Sequence, residues 1–192
     1  MSVSIGLKDL HVAKLLTDKK GVGATYDTPV SLGRAISGTI TPATNMAVLY
    51  ADDGPAETGS SIGGIEVAFN IDDLTTEIQM LLLGNEKDTK GGVVSKTTDE
   101  APYVAVGYEI TRNDGKSHFV WLYKGMFQET EANHQTKGEN VEFQTPTLTG
   151  RFIKRDFDDA WKYTFRSGDT GADAALAGNF FDEVVDPVVT AP

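Results

Sequence analysis

The chain contains no cysteine, which excludes a disulfide framework, a thiolate nucleophile and a cysteine-type zinc site. That absence is compatible with a reducing cytoplasm without requiring one. Long apolar runs are missing too. Runs such as residues 80–83 are far short of the roughly 20 residues a membrane span needs, so no membrane contact is expected. The N-terminus has no basic stretch followed by an apolar core, so no signal peptide is expected. Basic residues are scarce: 17 Lys and Arg stand against 28 Asp and Glu, a net charge of -11. Tight binding of nucleic acid rests on Lys and Arg neutralising phosphates, so this balance argues against it. An acidic, solvated surface that aids solubility is the simplest reading.

With 192 residues, 40% hydrophobic and 23% charged, the chain can bury a core without metal or disulfide staples. Period-two alternation dominates it. Leu10, Val12 and Leu16 mark a first strand, ending at a turn over residues 18–21. Ile36, Gly38 and Ile40 alternate before Pro42, and Met46, Val48 and Tyr50 after it; Ile65, Val67, Phe69 and Ile71 follow. A strand over 103–112 meets Asn113-Asp114-Gly115-Lys116, a hairpin turn in which Asp-Gly tolerates positive φ. The return strand has Phe119, Trp121 and Tyr123 on one face and Val120 and Leu122 on the other. Such a strand is either covered on both sides or keeps one face for a partner. Residues 143–154 and 161–165 read as the last strands.

Leu74, Ile78, Leu81 and Leu82 give one apolar helical face, with Asp72 and Asp73 as caps and Gly84 as the stop. A weaker helix is expected over 173–182, with Ala175, Leu176 and Phe180 or Phe181 turned inward. Polar stretches at 52–61, 85–99 and 129–139 are long for hairpin connections. The expected fold is α+β: a β-sandwich or partly closed β-barrel with one capping helix. Residues 1–168 form that domain, and 169–192 a C-terminal helix and arm.

Chemistry is poorly represented. His11, His118 and His134 share no spacing, and no Gly-x-Ser-x-Gly elbow is present. Asp156, Asp158 and Asp159 could offer oxygens to calcium, but the turn glycine and closing Glu of a calcium loop are missing. The glycines of Gly21-Val22-Gly23-Ala24-Thr25 are not followed by a P-loop lysine, so they read as a turn. No catalytic residue, cofactor or metal is expected, and the chain does not read as an enzyme. Arg151, Lys154, Arg155, Lys162 and Arg166, interleaved with Asp156, Asp158 and Asp159, make a mixed-sign patch suited to another subunit.

Three segments carry a family resemblance: Leu49-Tyr50-Ala51-Asp52-Asp53-Gly54-Pro55-Ala56-Glu57, Phe119-Val120-Trp121-Leu122-Tyr123-Lys124-Gly125 and Phe143-Gln144-Thr145-Pro146-Thr147-Leu148-Thr149. Together they resemble the major tail (tail tube) proteins of long-tailed, siphophage-type bacteriophages. The resemblance implies a structural virion protein of the phage tail, assembled in the host cytoplasm. Its subunits would stack as rings, usually of six, into a tube through which DNA passes without specific binding. It also implies a tape-measure protein, a tail terminator and tail-tip proteins as partners beside the chain itself. On this view some acids line the channel, and Asp52, Asp53, Pro55, Glu57, Arg151, Arg155, Asp158 and Asp159 are candidate inter-subunit contacts. The arm beyond Pro187 is a further candidate for contacts between rings.

Two other classes compete with this expectation. A carbohydrate-binding β-sandwich would use Trp121 and Trp161 as sugar platforms. A hydrolase would gather a metal at Asp156, Asp158 and Asp159. Within the structural class, the tube protein of a contractile injection machine shares the ring architecture.

Overall fold

The computed structural model describes residues 3–51, 54–129 and 145–187, with the backbone alone at 49–51 and 54–57. In chain order its elements are β1 (Ser4–Lys19), β2 (Gly23–Tyr26), β3 (Val30–Ser31), β4 (Ala35–Ala51), β5 (Gly54–Ile71), α1 (Thr76–Leu83), β6 (Glu86–Lys87), β7 (Val93–Val94), β8 (Val104–Arg112), β9 (Ser117–Gln128), β10 (Thr147–Ile153), β11 (Lys162–Arg166) and α2 (Ala174–Asn179). One antiparallel sheet runs β2-β1-β8-β9-β10-β5-β4, and β3 adds to β1. β9 carries β8 on one side and, on the other, β11 along its first half and β10 along its second. The sheet curls into a half-barrel, bringing Leu7 of β1 against Gly38 of β4.

Alternation decides what each face of this sheet meets. Ile65, Val67, Phe69 and Ile71 of β5 join Val104, Val106, Val120, Leu122, Leu148 and Phe152 inside the curl, where α1 adds Ile78 and Leu82. Trp121 and Tyr123 face the other way, with Ala105, Phe119 and Phe165, and the C-terminal segment covers them with Phe180, Phe181, Val184 and Val185. The indole of Trp121 lies flat on Gly107, where a Cβ would sit 2.8 Å from its ring carbons. Its Nε1 donates to the Phe180 carbonyl at 3.2 Å, and the Tyr123 hydroxyl donates to the Val185 carbonyl at 2.8 Å. β9 is therefore covered on both faces, the first of the two alternatives its sequence left open.

Several local expectations need correction. The cap of α1 is Thr75, whose side chain accepts from Ile78 N. Asp72 is engaged instead with the backbone N–H groups of Arg34 and Asp73, both at 2.9 Å, so neither aspartate caps the helix. Gly84 does end it, in the left-handed conformation at φ 72°. The polar stretch 52–61 is not a loop: from Gly54 onward it is strand, paired with β4. Within 85–99 a small β6–β7 pair forms. Leu16 is exposed, and so is Ala175, whereas Leu176 and Phe180 do turn inward. Of the stretch 129–139 and the strand 143–154, residues 130–144 lie outside the described residues, as does the arm beyond Pro187.

Candidate assembly surface

The hairpin of β4 and β5 is longer than the sheet that carries it. Ile65 is the last β5 residue paired with β10, opposite Phe152. Beyond it, Ile62, Ser60 and Thr58 pair only with Thr44, Met46 and Val48 of β4. The register shifts between Pro42 and Thr44, opposite Gly63 and Gly64, so one extra residue sits on the β5 side. That bulge restores phase. Without it, the odd spacing from Ile65 to Ile62 would turn Ile62 onto the opposite face. With it, Met46, Val48 and Ile62 continue the core-facing side of the sheet past the chain's own core. They stand 71%, 42% and 53% exposed.

Charge in this ribbon is confined to Asp52, Asp53 and Glu57 at and near its tip. No Asp, Glu, Lys or Arg occurs at 35–51 or 58–65, in a chain that is 23% charged overall. β4 is also the last strand of the sheet order. Edge strands of monomers are ordinarily short, bulged away or guarded by charges, because open backbone groups template pairing with another chain. Here 17 residues of edge carry no charged guard. A two-stranded ribbon solvated on both faces is at best marginal in water, so this one is shaped for a partner.

At the end of the sheet from which the ribbon emerges lies a network of ion pairs. Lys124, 9% exposed in its side chain, bridges Asp18 at 2.7 Å and Asp156 at 2.8 Å. Asp18 also accepts from the backbone N–H groups of Asp156 and Phe157. Burial pushes its pKa up, but those hydrogen bonds and Lys124 outweigh burial and hold it below the usual carboxylate range. Arg155 is fully buried. It meets Asp158 through two nitrogens at 2.6 and 2.7 Å and Asp186 at 2.6 Å, and lies 4.0 Å from the centre of the Tyr123 ring. The hydrogen bonds from Arg155 hold the Asp158 carboxyl below its ordinary range. Tyr26 is pushed up to about 12 by burial beside this cluster. The network ties the end of β1, the turn after β10 and the C-terminal segment together.

The sequence-derived contact residues are thereby placed. Arg151 is exposed on β10, its guanidinium over Gly64 and its Cα opposite Glu66. Asp159 pairs with Lys154 at the surface. Asp158 and Arg155 are brought together, but Arg155 points into the molecule. Pro55 and Glu57 lie on β5 in register with Tyr50 and Leu49; Asp52 and Asp53 fall outside the described residues. Asp156, Asp158 and Asp159 each face a different cation, Lys124, Arg155 and Lys154. Trp121 is fully buried and offers no sugar platform, and Trp161 is packed against the inner core. Asp18, Lys124 and Asp186 were not foreseen. They lie far from one another along the chain, and no local pattern announces them.

His11 stacks on Phe181 with ring centroids 4.4 Å apart, and His118 sits within β9, its Nε2 buried without a hydrogen-bond partner; His134 lies outside the described residues. Among the described residues no group of three or more His, Asp or Glu is arranged to hold a metal ion.

A curled β half-barrel with an overhanging hairpin, whose edge strand β4 carries no charge, defines an assembling structural subunit. The sequence profile of one family, described as phage tail tube protein, matches residues 32–186. The chain belongs to that family, a structural one whose members self-assemble into the tube of the virion tail. No curated protein matches the chain.

Proposed function

We propose that the subunit forms rings of six, stacked into a siphophage-type tail tube that delivers DNA to the host. The observation that carries this reading is the β4–β5 hairpin, free of charge at 35–51 and 58–65, which extends the apolar side of the sheet beyond its own core. Pairing of the β4 edge with the next copy would close six curled sheets into one barrel. The distal ribbon, with Met46, Val48 and Ile62, would then lie on the adjacent ring. A contact of this kind is heterologous and does not close on itself, so it generates a filament.

Arg151, Asp158 and Asp159, at the end from which the ribbon projects, and Asp52, Asp53, Pro55 and Glu57, at and near its tip, are the proposed contacts between copies. Arg155 would contribute by fixing the C-terminal segment through Asp186. In this scheme residues 1–168 build the tube and 169–192 act as a helix and arm. Tape-measure, terminator and tail-tip proteins would set length and ends, and assembly would take place in the host cytoplasm.

Negative-stain electron microscopy of the purified chain at low and high concentration tests the reading. Hollow tubes whose end-on views have six-fold symmetry are expected at high concentration. Single particles at every concentration, with or without isolated tail tips as nuclei, would refute it.

A further inference from the structure

The half of the sheet outside the curl that the C-terminal segment leaves uncovered is unlike the rest of the surface. Ser37, Thr39 and Thr41 of β4 lie beside Asn70, Ala68 and Glu66 of β5, in register. Thr147, Thr149 and Arg151 of β10 continue the rows, and Gln128 of β9 pairs with Thr149. A shallow cleft of about 400 Å³ is lined by Thr39, Thr41, Glu66, Gln128, Thr149 and Arg151 among them. Among the described residues no element packs on this face. Its charged members are Glu66 and Arg151, which are direct cross-strand partners. The patch is therefore electrically balanced in a chain of net charge -11.

Closure geometry decides where such a face must go. If β4 pairs with a neighbouring copy, successive sheets join into one barrel. Each copy's inner core, with α1, lies on the side opposite the threonine rows, and Lys87 of β6 pairs with Glu77 of α1 at 3.6 Å, which keeps the β6–β7 hairpin by that helix. Those bodies cannot converge inside a barrel that also keeps a bore, so they point outward. The uncovered face is left to line the channel.

We propose that this Thr/Ser/Asn face is the wall of the bore, and that the bore is neutral and hydroxyl-lined along it, not acidic. The inference rests on the ring reading above. Its passing occupant is a polyanion, double-stranded DNA. Retention of DNA depends on cations that displace its counterions, and this wall supplies one, already opposed by Glu66. Among the described residues of this face, Glu66 is the one acid, so it presents no dense acidic lining to repel DNA. Short hydroxyls hold a layer of exchangeable water, which leaves DNA free to slide.

The cysteine-free sequence permits a direct test. Thr39→Cys and Thr149→Cys place thiols on the proposed wall with little change in volume, and Lys90→Cys, in the β6–β7 turn, places one on the opposite side of the core. Tubes of each variant are treated with a small maleimide and with one attached to a polymer too bulky to enter the bore. The expected result is that the small reagent labels all three, whereas the bulky reagent labels Lys90→Cys and loses the two wall positions. Free subunits of every variant should take both reagents. Wall positions labelled by the bulky reagent in tubes would place the face outside. Protection from both reagents would place it in a contact between copies. Either result overturns the proposal. Failure of wild-type chains to form tubes would instead sink the ring reading beneath it.

Discussion

Lysine at both Met46 and Val48 leaves the subunit folded, with the melting temperature of the wild type, and abolishes tube formation. The first half follows from exposure. Both side chains stand largely in solvent beyond the core, and substitutions at such positions usually change stability by about 0.5 kcal/mol or less. The second half follows from what assembly would require. Lysine is a residue that guards natural sheet edges, and burying two ammonium groups against a second copy without partners carries a large desolvation cost. Circular dichroism melting and electron microscopy of the same preparation check the two halves together. Tubes of normal abundance from the double variant would remove the ribbon from the assembly contact. A collapsed melting temperature would show that the ribbon serves the fold of the single subunit.

Trp121→Ala has the opposite signature. The indole is fully buried, lies on Gly107, and meets Phe180 and Phe181 at centroid distances of 6.2 and 5.8 Å. Truncation removes that packing and the hydrogen bond to the Phe180 carbonyl, leaving a cavity under the C-terminal segment. A loss of about 3–5 kcal/mol is expected, a large share of the roughly 5–15 kcal/mol that holds a typical domain folded. Urea unfolding measures it directly. A loss below about 0.5 kcal/mol, the scale of surface substitutions, would mean that the C-terminal segment does not pack as described. Loss of tubes in this variant would be secondary to loss of fold, which separates it from the Met46 and Val48 pair.

These two sites also mark where the sequence is readable and where it is not. Trp121 lies in a strand whose two apolar faces are written in consecutive residues, and its hairpin turn is spelled out by Asn113-Asp114-Gly115-Lys116. Local patterns of this kind carry the strands and the end of α1 at Gly84. The distal ribbon is harder. Thr58, Gly59, Ser60 and Ser61 have the composition of a loop, and they become strand because their partners lie across the hairpin at Val48, Ala47, Met46 and Asn45. The helix cap shows a similar competition. Asp72, Asp73 and Thr75 are all competent cap residues, and the choice falls to Thr75 because Asp72 is held by the backbone of Arg34, a distant partner.

The ion-pair network is the least legible part. Lys124 reads as one cation in an apolar strand, yet its partner Asp18 is 106 positions away. Arg155 looks like a surface contact because its neighbours alternate in charge. Only the fold reveals that it turns inward to Asp158 and Asp186. The segment resemblance, in contrast, spans distant parts of the chain at once, and it agrees with the family that matches residues 32–186.

Tube formation by this subunit turns on the β4 edge meeting another copy, and hydrogen exchange at that edge is the measurement that tests it most directly. In the free subunit, the β4 amides that do not pair with β5 should exchange rapidly. In tubes the same amides should become protected, while those inside β8 and β9 remain slow in both states. Equal, rapid exchange of the β4 edge in subunits and in tubes would contradict strand pairing between copies.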